Sequence, residues 1–241
     1  MKKLFITAIV LTMTLSVNAQ KWWGNEKVKG NGKATTITRS IGDYDGVSLA
    51  GFFDVVLVKG KEGKIKIEGE ENLMEYIVTE VKRGNLQIKV KKGVNLKTTK
   101  RLTVTVPVQS IDQVSLGGSG NIEGNVLIKT DDLSVNLGGS GNITLSLDAT
   151  TVKTSIGGSG NINLSGDADS LKGSIAGSGT IKAYNLQVNS MKASIAGSGD
   201  IRISVKNEIK ATIAGSGSVY YKGSPKVNKT TIGSGSVKSR N

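Results

Sequence analysis

Cysteine and histidine are both absent from the 241-residue sequence. Without thiols there is no disulfide, no thiolate metal site and no lipobox cysteine for acylation. Without imidazole the commonest general base and the commonest nitrogen ligand are missing, which excludes zinc sites and nucleophile triads of the usual kinds. Aromatic residues are scarce at 4%, which suits a narrow core filled by Ile, Val, Leu and Ala. The P-loop pattern Gly-x-x-x-x-Gly-Lys-Ser/Thr is also missing, so the glycines present are not a phosphate cradle of that kind. Beyond the first twenty residues no long apolar run occurs, and no transmembrane segment is expected in the mature chain.

What the chain has in excess is glycine, 32 residues, and much of it is ordered. Gly-Ser-Gly begins at Gly118, Gly139, Gly158, Gly177, Gly197, Gly215 and Gly233, at spacings of 21, 19, 19, 20, 18 and 18. A near-constant period of this length marks a stacked repeat. Before each corner the residues alternate, as in Val152-Lys153-Thr154-Ser155-Ile156 and Met191-Lys192-Ala193-Ser194-Ile195. This is the signature of a strand with one buried face. After each corner comes a polar residue and then a β-branched one, as in Asn121-Ile122, Asn142-Ile143 and Asn161-Ile162. The expected fold is all-β: a parallel β-solenoid, with Ile122, Ile143, Ile162, Ile181 and Ile201 in one interior column. Parallel crossovers favour the right hand, so a right-handed β-helix is expected. An antiparallel meander is the alternative, but the Asn-Gly and Asp-Gly turns it would use are missing from this stretch.

Met1 to Ala19 reads as a signal peptide: Lys2 and Lys3, the apolar run Leu4 to Val17, and a small-residue cleavage site before Gln20. The net charge is +13, and loss of Lys2 and Lys3 would leave +11, a balance that favours acidic partners. Residues 20–40 form a basic arm carrying Trp22-Trp23 and Gly30-Asn31-Gly32, the latter resembling one more, degenerate corner. Residues 41–110 read as an irregular β-layer capping one end of a solenoid over 111–241. Within that layer, Asp45 to Val55 lines up with Asp112 to Ile122, with Phe52-Phe53 in place of Ser-Gly. Arg83-Gly84-Asn85 reads as a hairpin turn, Glu71 to Tyr76 as a helical turn, and Pro107 as the end of the last strand.

The order Tyr44-Asp45-Gly46-Val47, Gly51-Phe52-Phe53-Asp54-Val55, Gly84-Asn85-Leu86-Gln87-Ile88, Val104-Thr105-Val106-Pro107 and then repeated Gly-Ser-Gly-Asn-Ile resembles the bacterial head GIN domain family. Proteins of that family are described as auto-transporter adhesin-like. The resemblance covers residues 44–237 and implies an all-β, largely solenoidal fold with a surface or envelope role. It brings no catalytic residues. Family members often carry a lipoprotein cysteine after the signal, and this sequence has none.

The candidate ligand-binding residues are lysines. Lys153, Lys172, Lys192 and Lys210 each stand five positions before the next corner glycine, and Lys229 stands four before Gly233. They are expected to form one outward column, with Ser155, Ser174 and Ser194 beside it. Such a column fits an extended polyanion: acidic polysaccharide, lipopolysaccharide or another envelope component, without a specific nucleic-acid site and without a cofactor. The expected function is therefore an exported, non-enzymatic adhesion or ligand-binding module of the periplasm or cell surface. Two alternatives stand beside it, a purely structural envelope component and a carbohydrate-active β-helix enzyme. The enzyme reading rests on Asp148 and Asp167, equivalent positions of adjacent repeats, with Asp169 close by, as a possible Ca²⁺ cluster. The corner serines have no recurring base partner and are expected to hydrogen-bond backbone. Asn121, Asn142 and Asn161 are expected to stack as an amide ladder.

Overall fold

The corner glycines dictate the architecture. The structure, a computed structural model, describes residues 26–240; the signal pattern of residues 1–19 and Trp22-Trp23 lie outside them. Nine strands precede the regular repeats: β1 (Glu26–Lys29), β2 (Ala34–Ser40), β3 (Gly46–Gly51), β4 (Asp54–Lys59), β5 (Lys64–Glu70), β6 (Ile77–Lys82), β7 (Asn85–Val90), β8 (Val94–Lys97) and β9 (Thr103–Val108). A 3-10 helix over Glu71–Tyr76 joins β5 to β6. Then come β10 (Gln113–Gly118) and five long strands that each follow nearly a whole coil: β11 (Asn121–Gly139), β12 (Asn142–Gly158), β13 (Asn161–Gly177), β14 (Thr180–Gly197) and β15 (Asp200–Gly215). The stack finishes with β16 (Ser218–Lys222), β17 (Lys226–Ile232) and β18 (Ser236–Ser239).

Successive coils pair in parallel from β10 through β18, so the chain is a β-solenoid and not a meander. At each corner the first glycine has φ between 110° and 130°, a region that side chains other than glycine rarely tolerate. From Gly118 to Gly197 its carbonyl accepts two N–H groups from the next corner: Gly118 O takes Ser140 N at 3.0 Å and Gly141 N at 3.1 Å. The bend therefore leaves these backbone groups paired coil to coil, which a buried turn requires. The seven corners stack in line as expected.

The interior follows the period-2 pattern. Ile122, Ile143, Ile162, Ile181 and Ile201 are register partners in sequence and all are buried. The column extends below to Val55 and above to Val219. Burying each such side chain contributes about 1.5–3 kcal/mol relative to exposure. A second inner column holds the small residues Thr154, Gly173, Ala193 and Ala211. A Cβ on Gly173 would already meet Ile181 and Ile201 at 3.3 and 3.2 Å, so the core is as narrow as the composition implies.

The N-terminal layer grows out of the same stack. β3 pairs with β10 in the register expected from the sequence, Gly46 opposite Gln113 through Gly51 opposite Gly118. β4 pairs with β11, which makes Gly51-Phe52-Phe53 the first corner. β7 stacks in parallel on β3, and β9 on β4. Antiparallel strands then close both columns: β6 on β7, and β5 on β9 with β2 beyond it. The hairpin turn at Arg83-Gly84 has φ of 52° and 74°, the left-handed pair that such a turn needs. Pro107 lies inside β9, opposite Val58, beyond the residues of β9 that pair with β5. β2 pairs with β5 and β3 with β10, so the sheet is continuous past residues 40 and 110. Gly30-Asn31-Gly32 is not a corner; it is drawn to Glu70 and Asn72, whose carboxyl and amide oxygens accept Gly32 N at 2.7 Å and Asn31 N at 3.0 Å.

Glu70 gathers this end of the molecule. Its buried carboxylate accepts the Thr99 hydroxyl at 2.6 Å and the N–H groups of Thr99, Gly32 and Lys100 at 2.7, 2.7 and 3.2 Å. The Thr99 hydroxyl first, and these backbone donors with it, hold its pKa down to about 2 against its desolvation.

Candidate ligand-binding faces

Strand alternation sends Lys153, Lys172, Lys192 and Lys210 outward, and the parallel register places each opposite the next. Neighbours on adjacent coils are about 4.8 Å apart at the backbone. Ser155, Ser174, Ser194 and Thr212 form the next outward column, and Gly157, Ala176, Ala196 and Ala214 the one beyond. Lysine is thus the one long side chain among these three columns, which are otherwise a floor of small residues. Lys153 Nζ lies 4.0 Å from Asp132 and Lys210 Nζ 3.2 Å from Glu208. Among the described residues Lys172 and Lys192 form no ion pair, since Ser170 and Ser190 occupy the positions equivalent to Asp132 and Glu208.

Lys229 does not belong to this column. Asn228 is the register partner of Lys210, and Lys229 lies opposite Ala211, in the inner column. The last coil has kept its length up to the corner, so counting five back from Gly233 reaches Asn228. Lys229 is accommodated there because this terminal coil has no further coil paired to β17, and a charged group suits an exposed end.

Asp148 and Asp167 are register partners, as expected. Lys129 lies next in the column, 3.7 Å from Asp148, and Gln187 follows on the other side. Asp169 accepts a hydrogen bond from Asn189 at 3.1 Å. Among the described residues no three His, Cys, Asp or Glu side chains converge to hold a metal ion.

The polar ladder after the corners is longer than the sequence suggested. Asn161 donates to Asn142 at 3.0 Å, Asn142 to Asn121 at 2.9 Å, and Asn121 to Asp54 at 2.7 Å. Asp54 is held in turn by Arg101 at 2.7 Å. A carboxylate only accepts, so Asp54 fixes the direction of every amide above it. The corner serines differ from expectation. The N–H groups of Ser119 through Ser216 bond the preceding coil, but among the described residues the exposed corner hydroxyls bond nothing.

A second basic region escaped the sequence reading. Against β15, strand β14 carries Tyr184, Asn185 and Leu186 as excess residues between the pairs Ala183–Ile203 and Gln187–Ser204. The freed Tyr184 carbonyl is satisfied by the buried Ser204 hydroxyl at 2.7 Å. Beside this bulge lies a groove of about 500 Å³ bordered by Asn163, Lys182, Tyr184, Asn185, Arg202 and Lys222. Tyr184 and Arg202 also border an adjoining hollow of about 210 Å³ shared with Tyr220 and Arg240. Lys222 Nζ lies 5.1 Å above the Tyr184 ring, and the Arg240 guanidinium 4.9 Å above that of Tyr220. The available sequence signal was tyrosine itself, with three of the five at 184, 220 and 221.

Fold and faces together define an elongated parallel β-solenoid with cationic outer surfaces. Residues 43–225 match the family described as putative auto-transporter adhesin, head GIN domain, and the chain belongs to that family. Three solved structures are similar along nearly all of it. A putative lipid binding protein from Parabacteroides distasonis is 28% identical, with a TM-score of 0.75 over 90% of this chain and 100% of that one. A putative adhesin from Bacteroides fragilis is 25% identical, with a TM-score of 0.83 over 88% and 100%. A putative adhesin from Parabacteroides merdae is 28% identical, with a TM-score of 0.70 over 90% and 100%. Comparison with curated proteins returns no match. No helix among the described residues is long and apolar enough to cross a membrane.

Proposed function

We propose that this protein is an exported, non-enzymatic adhesion module of the cell envelope whose lysine column binds an extended acidic glycan. The observation that carries this reading is the register of Lys153, Lys172, Lys192 and Lys210, with Lys172 and Lys192 free of ion pairs among the described residues. Like charges on adjacent coils repel, weakly where solvent screens them. A regular polyanion relieves that repulsion along its whole length, and the floor of Ser, Ala and Gly lets it lie close. The family's adhesin description and the adhesin and lipid-binding descriptions of the similar structures support a binding role at the envelope. Export to the periplasm or cell surface agrees with that description and with the signal pattern at the start of the sequence.

The test compares the parent with a Lys172→Gln, Lys192→Gln, Lys210→Gln triple variant for binding polygalacturonate at low and high salt. The parent is expected to bind and to weaken steeply with salt, because exposed Coulomb attraction is screened. The triple variant is expected to bind roughly tenfold more weakly or worse. Equal binding by both proteins at low salt overturns the proposal.

A further inference from the structure

We propose that the groove beside the Tyr184 bulge is a second, separate binding site, specific for a phosphorylated sugar. Three observations converge on it. The first is charge: Lys182, Arg202, Lys222 and Arg240 border the groove and its adjoining hollow, and no carboxylate does. Lys182 and Arg202 are register partners on neighbouring coils, about 4.8 Å apart at the backbone, with nothing between them to neutralise the pair. Among the described residues the side chains of Lys182, Arg202, Lys222 and Arg240 form no ion pair.

The second observation is preorganisation. Two of the cations are held over tyrosine rings, Lys222 over Tyr184 and Arg240 over Tyr220. Ring contacts restrict these long side chains before any ligand arrives, which reduces the entropy lost on binding. The third is shape. The three excess residues of β14 make the larger of two register shifts between β14 and β15, the other placing one excess residue in β15 after Val205, and a bulge commonly re-aims a side chain. The resulting volume is within the range of small-ligand sites.

The chemistry distinguishes this site from the lysine column. Single charges in a row suit a polymer of monoanions. Three cations on the groove, Lys182, Arg202 and Lys222, with Arg240 beside Arg202 in the adjoining hollow, suit one oxyanion of higher charge, and the two arginines offer planar forks. A phosphomonoester is such a group. Asn163 and Asn185 stand in the same groove as donors and acceptors for sugar hydroxyls.

The experiment titrates the full mature protein with glucose 1-phosphate, glucuronate and unmodified glucose by calorimetry at low salt. Glucose 1-phosphate is expected to bind saturably, and both others at least roughly tenfold more weakly. Arg202→Gln with Arg240→Gln is expected to lose this binding. Neither arginine side chain makes a hydrogen bond or ion pair among the described residues, so the fold is expected to survive, as a melting curve checks. Lys222→Gln, at an exposed position, provides a second variant with a partial loss. The Lys172→Gln, Lys192→Gln, Lys210→Gln variant is expected to bind the sugar phosphate as the parent does, which separates this site from the polyanion column. The proposal is overturned by failure of the parent to bind glucose 1-phosphate, by equal binding of glucuronate, or by retention of binding in the double arginine variant.

Discussion

Gly158 and Gly139 stack so closely that a Cβ built on Gly158 would lie 2.4 Å from the Gly139 carbonyl oxygen. That oxygen already accepts Ser159 N and Gly160 N, each at 3.0 Å. Gly158→Ala therefore meets two penalties, a φ of 130° and a backbone clash. The dihedral strain alone costs about 1–3 kcal/mol. Chemical denaturation is expected to show a loss at least that large. Ser159→Ala, between the same two glycines but exposed, is expected to stay within about 0.5 kcal/mol of the parent. Equal stability of the two variants would show that the corner does not require glycine.

Glu70 predicts an acid-sensitive N-terminal end. Its folded pKa of about 2 lies below the ordinary 4.5, so its contribution to stability is full above pH 4.5. That contribution is lost progressively as the pH falls from 4.5 through 2. Glu70→Gln keeps the shape but places an amide N–H₂ among donors. It is expected to lower the denaturation midpoint at pH 7 and to flatten the parent's decline between pH 4.5 and 2. A variant whose midpoint falls in parallel with the parent's across that range would assign the acid response to other groups.

Most of the coil was legible because one constraint, the glycine corner, recurs in every repeat and sets the register of everything near it. The alignment of Asp45 to Gly51 with Asp112 to Gly118 carried into the sheet unchanged. Positions counted a fixed distance from a corner landed correctly, as for Lys172 and Lys192. Lys229 was misplaced because it was assigned by residue type against the count, and the backbone register follows the count. The Tyr184 groove was not legible from spacing. A period of 20 followed by 18 reports that residues were gained and lost, not where in the coil; pairing locates the excess, at 183–184 against β13 and at 184–186 against β15. Glu70 was missed for a related reason. Its donors come from Gly32 and residues 99–100, and no repeat relates those segments.

Catalysis is expected to be absent at the carboxylate pair. Asp148 faces Lys129, Asp167 is followed by Gln187, and Asp169 is engaged by Asn189. Asp131 and Asp169 border the same hollow, but among the described residues no three carboxylates converge, which gives a weak seat for Ca²⁺ with its six to eight oxygens. Incubation of the mature protein with polygalacturonate or alginate, with and without Ca²⁺, is expected to release no unsaturated or reducing ends. Release that disappears in Asp148→Ala or Asp167→Ala would establish an enzyme.

The direction of the asparagine ladder predicts the response to a one-atom substitution. Asn142 turns its amide nitrogen to Asn121 and its oxygen to Asn161. Asn142→Asp keeps the acceptor for Asn161 but sets a second oxygen against the Asn121 oxygen. Asn121 cannot rotate to help, because its nitrogen is committed to Asp54, which only accepts. The new carboxylate therefore lacks one donor at a half-buried position and faces an acceptor, and its folded pKa is expected above the unfolded value of about 3.9. For a carboxyl raised on folding, destabilisation is small below the unfolded pKa and grows to its full size as the pH rises through the folded one. Asn142→Asp is expected to cost about 1–3 kcal/mol at pH 7 and markedly less near pH 3.5. Asn142→Ser, which can donate and accept, is expected to cost less than Asp at pH 7 and to show no such recovery in acid. A pH-independent deficit in the aspartate variant would show that the amides are not held in one direction from Asp54 upward.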